Sequence, residues 1–237
     1  MSPEIKKTGG KLDFDKETVT GILDKMGRDD RYTTKSLSTL SFDRLYTQLT
    51  NTEAGVIKQL LSLDPKELGF LGPFVSMDEP PKDLVPIDGQ KFVRNGKESI
   101  IANRYLPDEV LRAFLKMQVA IKDDIGSRLM VESGYRSPAQ QAIVFLTYLE
   151  KFKFDIKYVA SGVALPGYSQ HGDPVHTAMD VINQDGIPTD EEPHLFADTK
   201  EYKWLTENAM RFDFHMSYPK GNEFGVKYEP WHWQYRG

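Results

Sequence analysis

Apolar positions recur at helical spacing through much of the first half of the chain. Residues 15–26 and 42–49 each predict a short helix. Over 53–63, Val56, Leu60, Leu61 and, one turn on, Leu63 mark another helix, with Asn51 or Thr52 as its expected N-cap. Leu106-Pro107-Asp108 opens a longer one, with Pro in the first turn and Gly126 as the stop. Its buried stripe is Val110, Phe114, Met117 and Ile121, with Leu111 and Leu115 beside it. Ser137, as N-cap, and Pro138 start a further helix that runs to about residue 152 and is apolar at Ile143, Val144, Leu146 and Tyr148. A helix is also predicted over 199–210, around Trp204 and Leu205. Residues 128–133 and 178–182 read as strands, and shorter strands are expected near 214–216 and 231–235. Residues 183–193 are polar and predict a surface loop.

Between the two groups of elements, residues 72–90 are rich in Pro, Gly and Asp, which predicts a linker or boundary. The expected organisation is a helical N-terminal extension, 1–72, followed by a compact domain, 73–237. Helices that precede and separate the strands give the class as α+β. The first seventy residues carry no catalytic pattern and read as a helical cap or docking element.

Charge and composition narrow the function. A chain of 237 residues with a formal net charge of -5 lacks the basic surplus of a nucleic-acid binder. No apolar run approaches the length that crosses a bilayer. The first residues hold no apolar stretch of the signal-peptide kind, so the expected location is the cytoplasm unless a leader has been removed. Cysteine is absent, which excludes disulfides, thiolate metal sites and cysteine nucleophiles. A transition-metal site must then use His, Asp, Glu or backbone oxygen. All the histidines (His171, His176, His194, His215 and His232) lie in the last third of the chain.

Three elements there carry chemistry. In Glu229-Pro-Trp-His232-Trp, the imidazole suits a zinc ligand and the carboxylate a base that stays off the metal. Residues three apart on a regular strand point to opposite faces, so Pro230 predicts a bend between them. In Ser169-Gln-His171-Gly-Asp-Pro-Val-His176-Thr-Ala-Met-Asp180, two histidines precede an Asp that opens an apolar strand. One His, Asp180 and His232 would make three protein ligands, the catalytic number for zinc. In Glu132-Ser-Gly-Tyr-Arg136-Ser137, an Arg in a tight turn can aim its fork at a carboxylate or a developing oxyanion. Each fragment alone also fits a plain structural role: aromatic packing, a polar loop, a local ion pair.

In this order, however, the fragments resemble the VanY-type D-alanyl-D-alanine carboxypeptidases, zinc peptidases that act on peptidoglycan. The resemblance rests on Ser133-Gly-Tyr-Arg-Ser137, on Pro166-Gly-Tyr-Ser-Gln-His171 running on to Ala178-Met-Asp180, and on Ser217-Tyr-Pro219 followed by Glu229-Pro-Trp-His-Trp233. It covers about residues 74–237. It implies a small central antiparallel sheet flanked by helices. It implies zinc held by His171, Asp180 and His232, with Glu229 as general base. It places Arg136 on the scissile carbonyl or the substrate carboxylate, and Tyr135 and Ser169 beside the substrate. The expected partners are peptidoglycan stem peptides or muropeptides, and the implied location is the cell envelope. One departure stands out. The usual pattern spaces the first His and the Asp seven apart with a Gly between; here they are nine apart, and His176 stands where that Gly aligns. The intact Pro-Gly-x-Ser-x-His run favours His171, with His176 as the alternative. Other functions of the same fold stay open: a peptidoglycan endopeptidase, a D-Ala-D-Ala dipeptidase, or a wall-binding module without catalysis.

Overall fold

A computed structural model describes residues 15–27, 37–187 and 192–237. The leader question and part of the expected 183–193 loop therefore lie outside the described residues.

The N-terminal helices are α1 (Lys16–Met26), α2 (Phe42–Tyr46) and α3 (Asn51–Leu61). The cap of α3 is Thr50, not Asn51 or Thr52: its hydroxyl accepts from the Glu53 amide while the Glu53 carboxylate reaches back to the Thr50 amide. Glu53 also takes the Lys25 ammonium at 2.6 Å, tying α3 to α1. Four short strands follow: β1 (Leu84–Ile87), β2 (Lys91–Arg94), β3 (Lys97–Ile100) and β4 (Arg104–Pro107). They pair as β1 with β4 and β2 with β3, both antiparallel. None was expected. The Pro and Gly content of 72–90 reads as a linker, yet β1 lies within it. The stretch is also pinned near its start, since the Leu71 amide just before it donates to Phe224 O at 2.8 Å and the Val75 amide within it to Gly167 O at 2.7 Å. Short hairpins with exposed faces leave little periodicity to read.

Helix α4 (Asp108–Ile125) starts directly after Pro107, which ends β4 rather than sitting in the first helical turn. Its predicted stripe, Val110, Phe114, Met117 and Ile121, is buried, whereas Leu115 is exposed. Gly126 ends it at φ 64°, a left-handed conformation that costs glycine little. Then come β5 (Leu129–Ser133), α5 (Pro138–Lys151), α6 (Ile156–Ala160), β6 (Ala178–Asn183), α7 (Pro193–Ala197), α8 (Lys200–Asn208), β7 (Phe214–Met216) and β8 (His232–Tyr235). Ser137 caps α5 through the Gln140 amide, as expected.

The central sheet is antiparallel, in the order β5-β6-β8-β7. Alternation along each strand assigns its faces. Leu129, Val131, Met179, Val181, Trp233 and Tyr235 pack into a core with α4 and α8. The opposite face carries Asp180 and His232, while Met130 and Ile182 on it pack with Phe92 and Ile101. A second core joins Val19, Ile22, Leu45, Ile57 and Leu60 to Ile143, Phe145 and Leu149 of α5. The N-terminal helices thus share a core with α5. Among the described residues, no helix is long and apolar enough to cross a membrane.

Candidate metal centre

Asp180 sits in the middle of the sheet, opposite His232 on β8 and Ser133 on β5. The ladder therefore sets Asp180 and His232 side by side on one face. Glu229 reaches the same place through a turn. The His232 amide donates to Glu229 O at 3.2 Å, with Pro230 as the first central residue, a position proline favours. This is the bend that Pro230 predicts, and it brings the Glu229 carboxylate to 3.9 Å from His232 Nδ1.

His171 comes from a 3-10 turn, Gln170–Gly172. Two backbone links fix that turn against the strand-to-helix corner: the Arg136 amide donates to His171 O at 3.0 Å, and His171 Nδ1 donates to Gly134 O at 2.9 Å. The two extra loop residues are absorbed just beyond. Asp173 Oδ1 accepts from the amides of Val175 and His176, and the Asp173 carbonyl accepts from Thr177 Oγ1. This tight turn points His176 outward, with 46 % of its side chain exposed and Asp173 as its nearest acid. The structure brings together His171, Asp180 and His232 and leaves His176 apart.

One ligand atom from each of the three lies within 4.8 Å of the others. His171 Nε2 is 3.2 Å from Asp180 Oδ2, and His232 Nδ1 is 2.9 Å from Asp180 Oδ1. Each histidine spends its other nitrogen on a second acceptor, Gly134 O for His171 and Gln170 Oε1, at 3.0 Å, for His232. With those two N–H groups assigned outward, the nitrogens facing Asp180 are lone pairs opposite a carboxylate. Such an arrangement is favourable around a cation, and histidines held by an outer partner are the usual companions of a bound metal. Two imidazoles and a carboxylate suit zinc, and three protein ligands leave a position open.

The electrostatics agree. Burial, reinforced by the Arg136 and His232 charges and opposed by Asp180, pushes His171 down to about 4, so its imidazole is neutral at pH 7. Burial raises Asp180, and positive charge and N–H donation from His171 and His232, parts that a bound cation takes over once both imidazoles are neutral, outweigh it and hold the carboxyl well below the usual range. Burial, then the negative charge of Glu229 and Asp180, raises the Tyr218 phenol, which stays protonated.

A cavity of about 510 Å³ opens onto the triad and includes Glu229, Arg136, Tyr135 and Ser169 in its lining. Arg136 is aimed by two contacts, Nη1 to Gln141 Oε1 at 2.9 Å and Nη2 to Ser133 Oγ at 2.8 Å. Tyr135 is buried, as is Ser169. The N-terminal segment also contributes: Ser38 lines the cavity, and its carbonyl accepts from the Ser137 amide at 3.0 Å. Two residues escaped the sequence reading. Gln170 stands next to His171 in the chain, but nothing in its spacing shows that its amide faces His232. Tyr218, within a quoted motif but given no role, lays its ring 4.7 Å from that of His232.

Comparison with known proteins gives one family. A family model described as VanY: D-alanyl-D-alanine carboxypeptidase matches residues 103–237. The Bacillus subtilis (strain 168) protein YodJ is 35 % identical over 160 residues, 66 % of this chain and 54 % of that one. A D-alanyl-D-alanine carboxypeptidase of Enterococcus faecium is 28 % identical over 161 residues, 65 % of this chain and 45 % of that one. The chain thus spans about half the length of these curated relatives. Among solved structures, the LdcB LD-carboxypeptidase superposes with a TM-score of 0.55 at 30 % identity, over 73 % of this chain and 78 % of that one.

Proposed function

Since the chain belongs to the VanY family of D-alanyl-D-alanine carboxypeptidases, we propose that it is a zinc peptidase that removes a C-terminal D-amino acid from peptidoglycan stem peptides. The observation that carries this reading is the shared cavity, in which the His171, Asp180 and His232 ligand atoms meet Glu229 and Arg136.

His171 Nε2, an Asp180 oxygen and His232 Nδ1 would hold the ion. Zinc bound there supplies Lewis acidity to the attacking water and the scissile carbonyl. Glu229, placed by the Pro230 turn, takes the proton of the attacking water and returns it to the leaving amine. Arg136, braced by Gln141 and Ser133, carries the negative charge of the substrate carboxylate or of the oxygen that develops charge. Tyr135 and Ser169 shape the wall beside the substrate. In this reading residues 73–237 form the catalytic unit, and the N-terminal helices brace α5 and lend Ser38 to the cavity wall.

The D,D reaction is the primary reading, on the family and the Enterococcus faecium relative. The likeness to an LD-carboxypeptidase favours a second one, in which the trimmed stem is a tetrapeptide. A dipeptidase calls for a small, closed pocket, whereas this cavity runs on from the triad along α5 to Lys151. Glu229 counts against a binding-only module, which has no use for a base. The proposed place of action is the cell envelope, where such stems are found.

Mass spectrometry of defined muropeptides with and without chelator tests the reading. A metal-dependent loss of one alanine from a pentapeptide stem is expected. Loss from the tetrapeptide alone selects the LD reaction. A cut inside the stem or cross-bridge makes the protein an endopeptidase, and bound zinc with no cleavage of any muropeptide makes it a binding module.

A further inference from the structure

The cavity does not end at the metal centre. Its lining continues along one stripe of α5, through Gln141, Val144, Tyr148 and Lys151, residues that helical spacing puts on a single face. Exposure grows along that stripe. Gln141 and Val144 are buried, Tyr148 is half-buried and Lys151 is exposed. The inner end is Arg136, hydrogen-bonded to Gln141, and the outer end is Lys151. Ten residues of helix separate Gln141 from Lys151, a path of about 15 Å. An extended peptide covers that distance in about four residues.

Two lysines line the outer end, each with its ammonium group against an aromatic ring. Lys151 Nζ lies 5.3 Å from the Phe152 ring centroid, and Lys227 Nζ lies 3.6 Å from that of Tyr158. The Phe152 and Tyr158 rings are themselves 4.8 Å apart in an edge-to-face contact, so the two cations sit against one aromatic pair. The backbone holds Lys227, since the Lys227 amide donates to Ser161 O at 2.9 Å. Two acids stand in the same stretch: Glu150 accepts from Thr20 Oγ1, and Asp155 caps α6. Lys153 and Lys157 add positive charge to the same stretch. A chain of net charge -5 therefore presents a local cationic end to its own cleft.

We propose that this outer end is a subsite for a carboxylate carried about three to four residues upstream of the cleaved bond, with Lys151 and Lys227 as its cationic contacts. The inference rests on the reading above, that the peptide's C-terminal bond lies at the triad. The aromatic pair positions the ammonium groups, and the peptide between the two ends lies against the α5 stripe. Exposed charge contacts of this kind act on binding and weaken as salt screens them.

The test compares three substrates: a stem pentapeptide with a free glutamyl carboxylate, the same peptide amidated at that carboxylate, and an acyl-Lys-D-Ala-D-Ala tripeptide that ends short of the subsite. The wild-type protein should show the lowest KM for the acidic pentapeptide, and that advantage should shrink with added salt. A Lys151→Gln/Lys227→Gln double variant should raise KM for the acidic pentapeptide about fivefold, the size two exposed charge contacts supply. Its kcat, its melting temperature and its kinetics on the other two substrates should match the wild type. Equal KM for all three substrates in the wild type, or an acidic-peptide KM unmoved by the double variant, would overturn the subsite and leave the peptidase reading intact. Failure of the wild type to cleave any of the three removes the subsite together with the D,D reading on which it rests.

Discussion

Asp180 and His232 are partners in a hydrogen-bonded ladder, whereas α1 and α2 meet α5, and α3 meets α1, mainly through apolar side chains. The ladder fixes two ligand-bearing Cα atoms in direct register, and side-chain alternation sends both groups to one face. Apolar contact has no such directionality: it places α5 as a body and leaves the exact facing of each side chain to packing. The division of labour follows. Residues that need tight geometry sit on strands or on turns hydrogen-bonded to them, and the helical layer supplies a wall, a brace and the carbonyl of Ser38.

That contrast can be broken from either side. The largest expected effect is on chemistry. Glu229→Ala should lower kcat by about 10²- to 10⁴-fold, while bound zinc and the melting temperature stay as in the wild type. Lost metal in that variant would make Glu229 a ligand and not a base. Next comes Ile57→Ala, which empties a fully buried position of the α1–α3–α5 core. It should cost about 2–5 kcal/mol in denaturant unfolding and leave kcat of the folded fraction unchanged. A fall in kcat at full folding would show that the helical layer sets the geometry of the triad as well. The smallest effect should come from Gln170→Leu, which deprives His232 Nε2 of its acceptor. Zinc affinity, measured by chelator competition, should fall by about 10- to 100-fold. Gln170→Glu, which keeps an acceptor oxygen, should restore it. Unchanged affinity in Gln170→Leu would show that the ladder alone orients the imidazole.

The same contrast explains what could be read in the sequence. Helices α4 and α5 announce themselves, one by a stripe of four apolar residues and the other by the Ser137-Pro138 start, because caps and periodicity are local. Strands β5 and β6 are legible as apolar runs. The hairpins from β1 to β4 are not, since their short strands lack a regular alternation and Pro86 and Gly89 read as linker. Residues His171, Asp180, His232, Glu229 and Arg136 are named by motif, but their meeting is a matter of register and of two turns. The choice between His171 and His176 depends on the Asp173 turn, whose hydrogen bonds have no signature in the His-to-Asp spacing. Gln170 and Tyr218 lie beside His232 through contacts that span 62 residues in one case and a tilted ring pair in the other.

Zinc-edge anomalous diffraction from crystals of the zinc-loaded protein tests the metal centre most directly. A single peak is expected at about 2.0–2.2 Å from His171 Nε2, an Asp180 oxygen and His232 Nδ1, with His176 still turned to solvent. A peak bonded to His176, or none between Asp180 and His232, would contradict it.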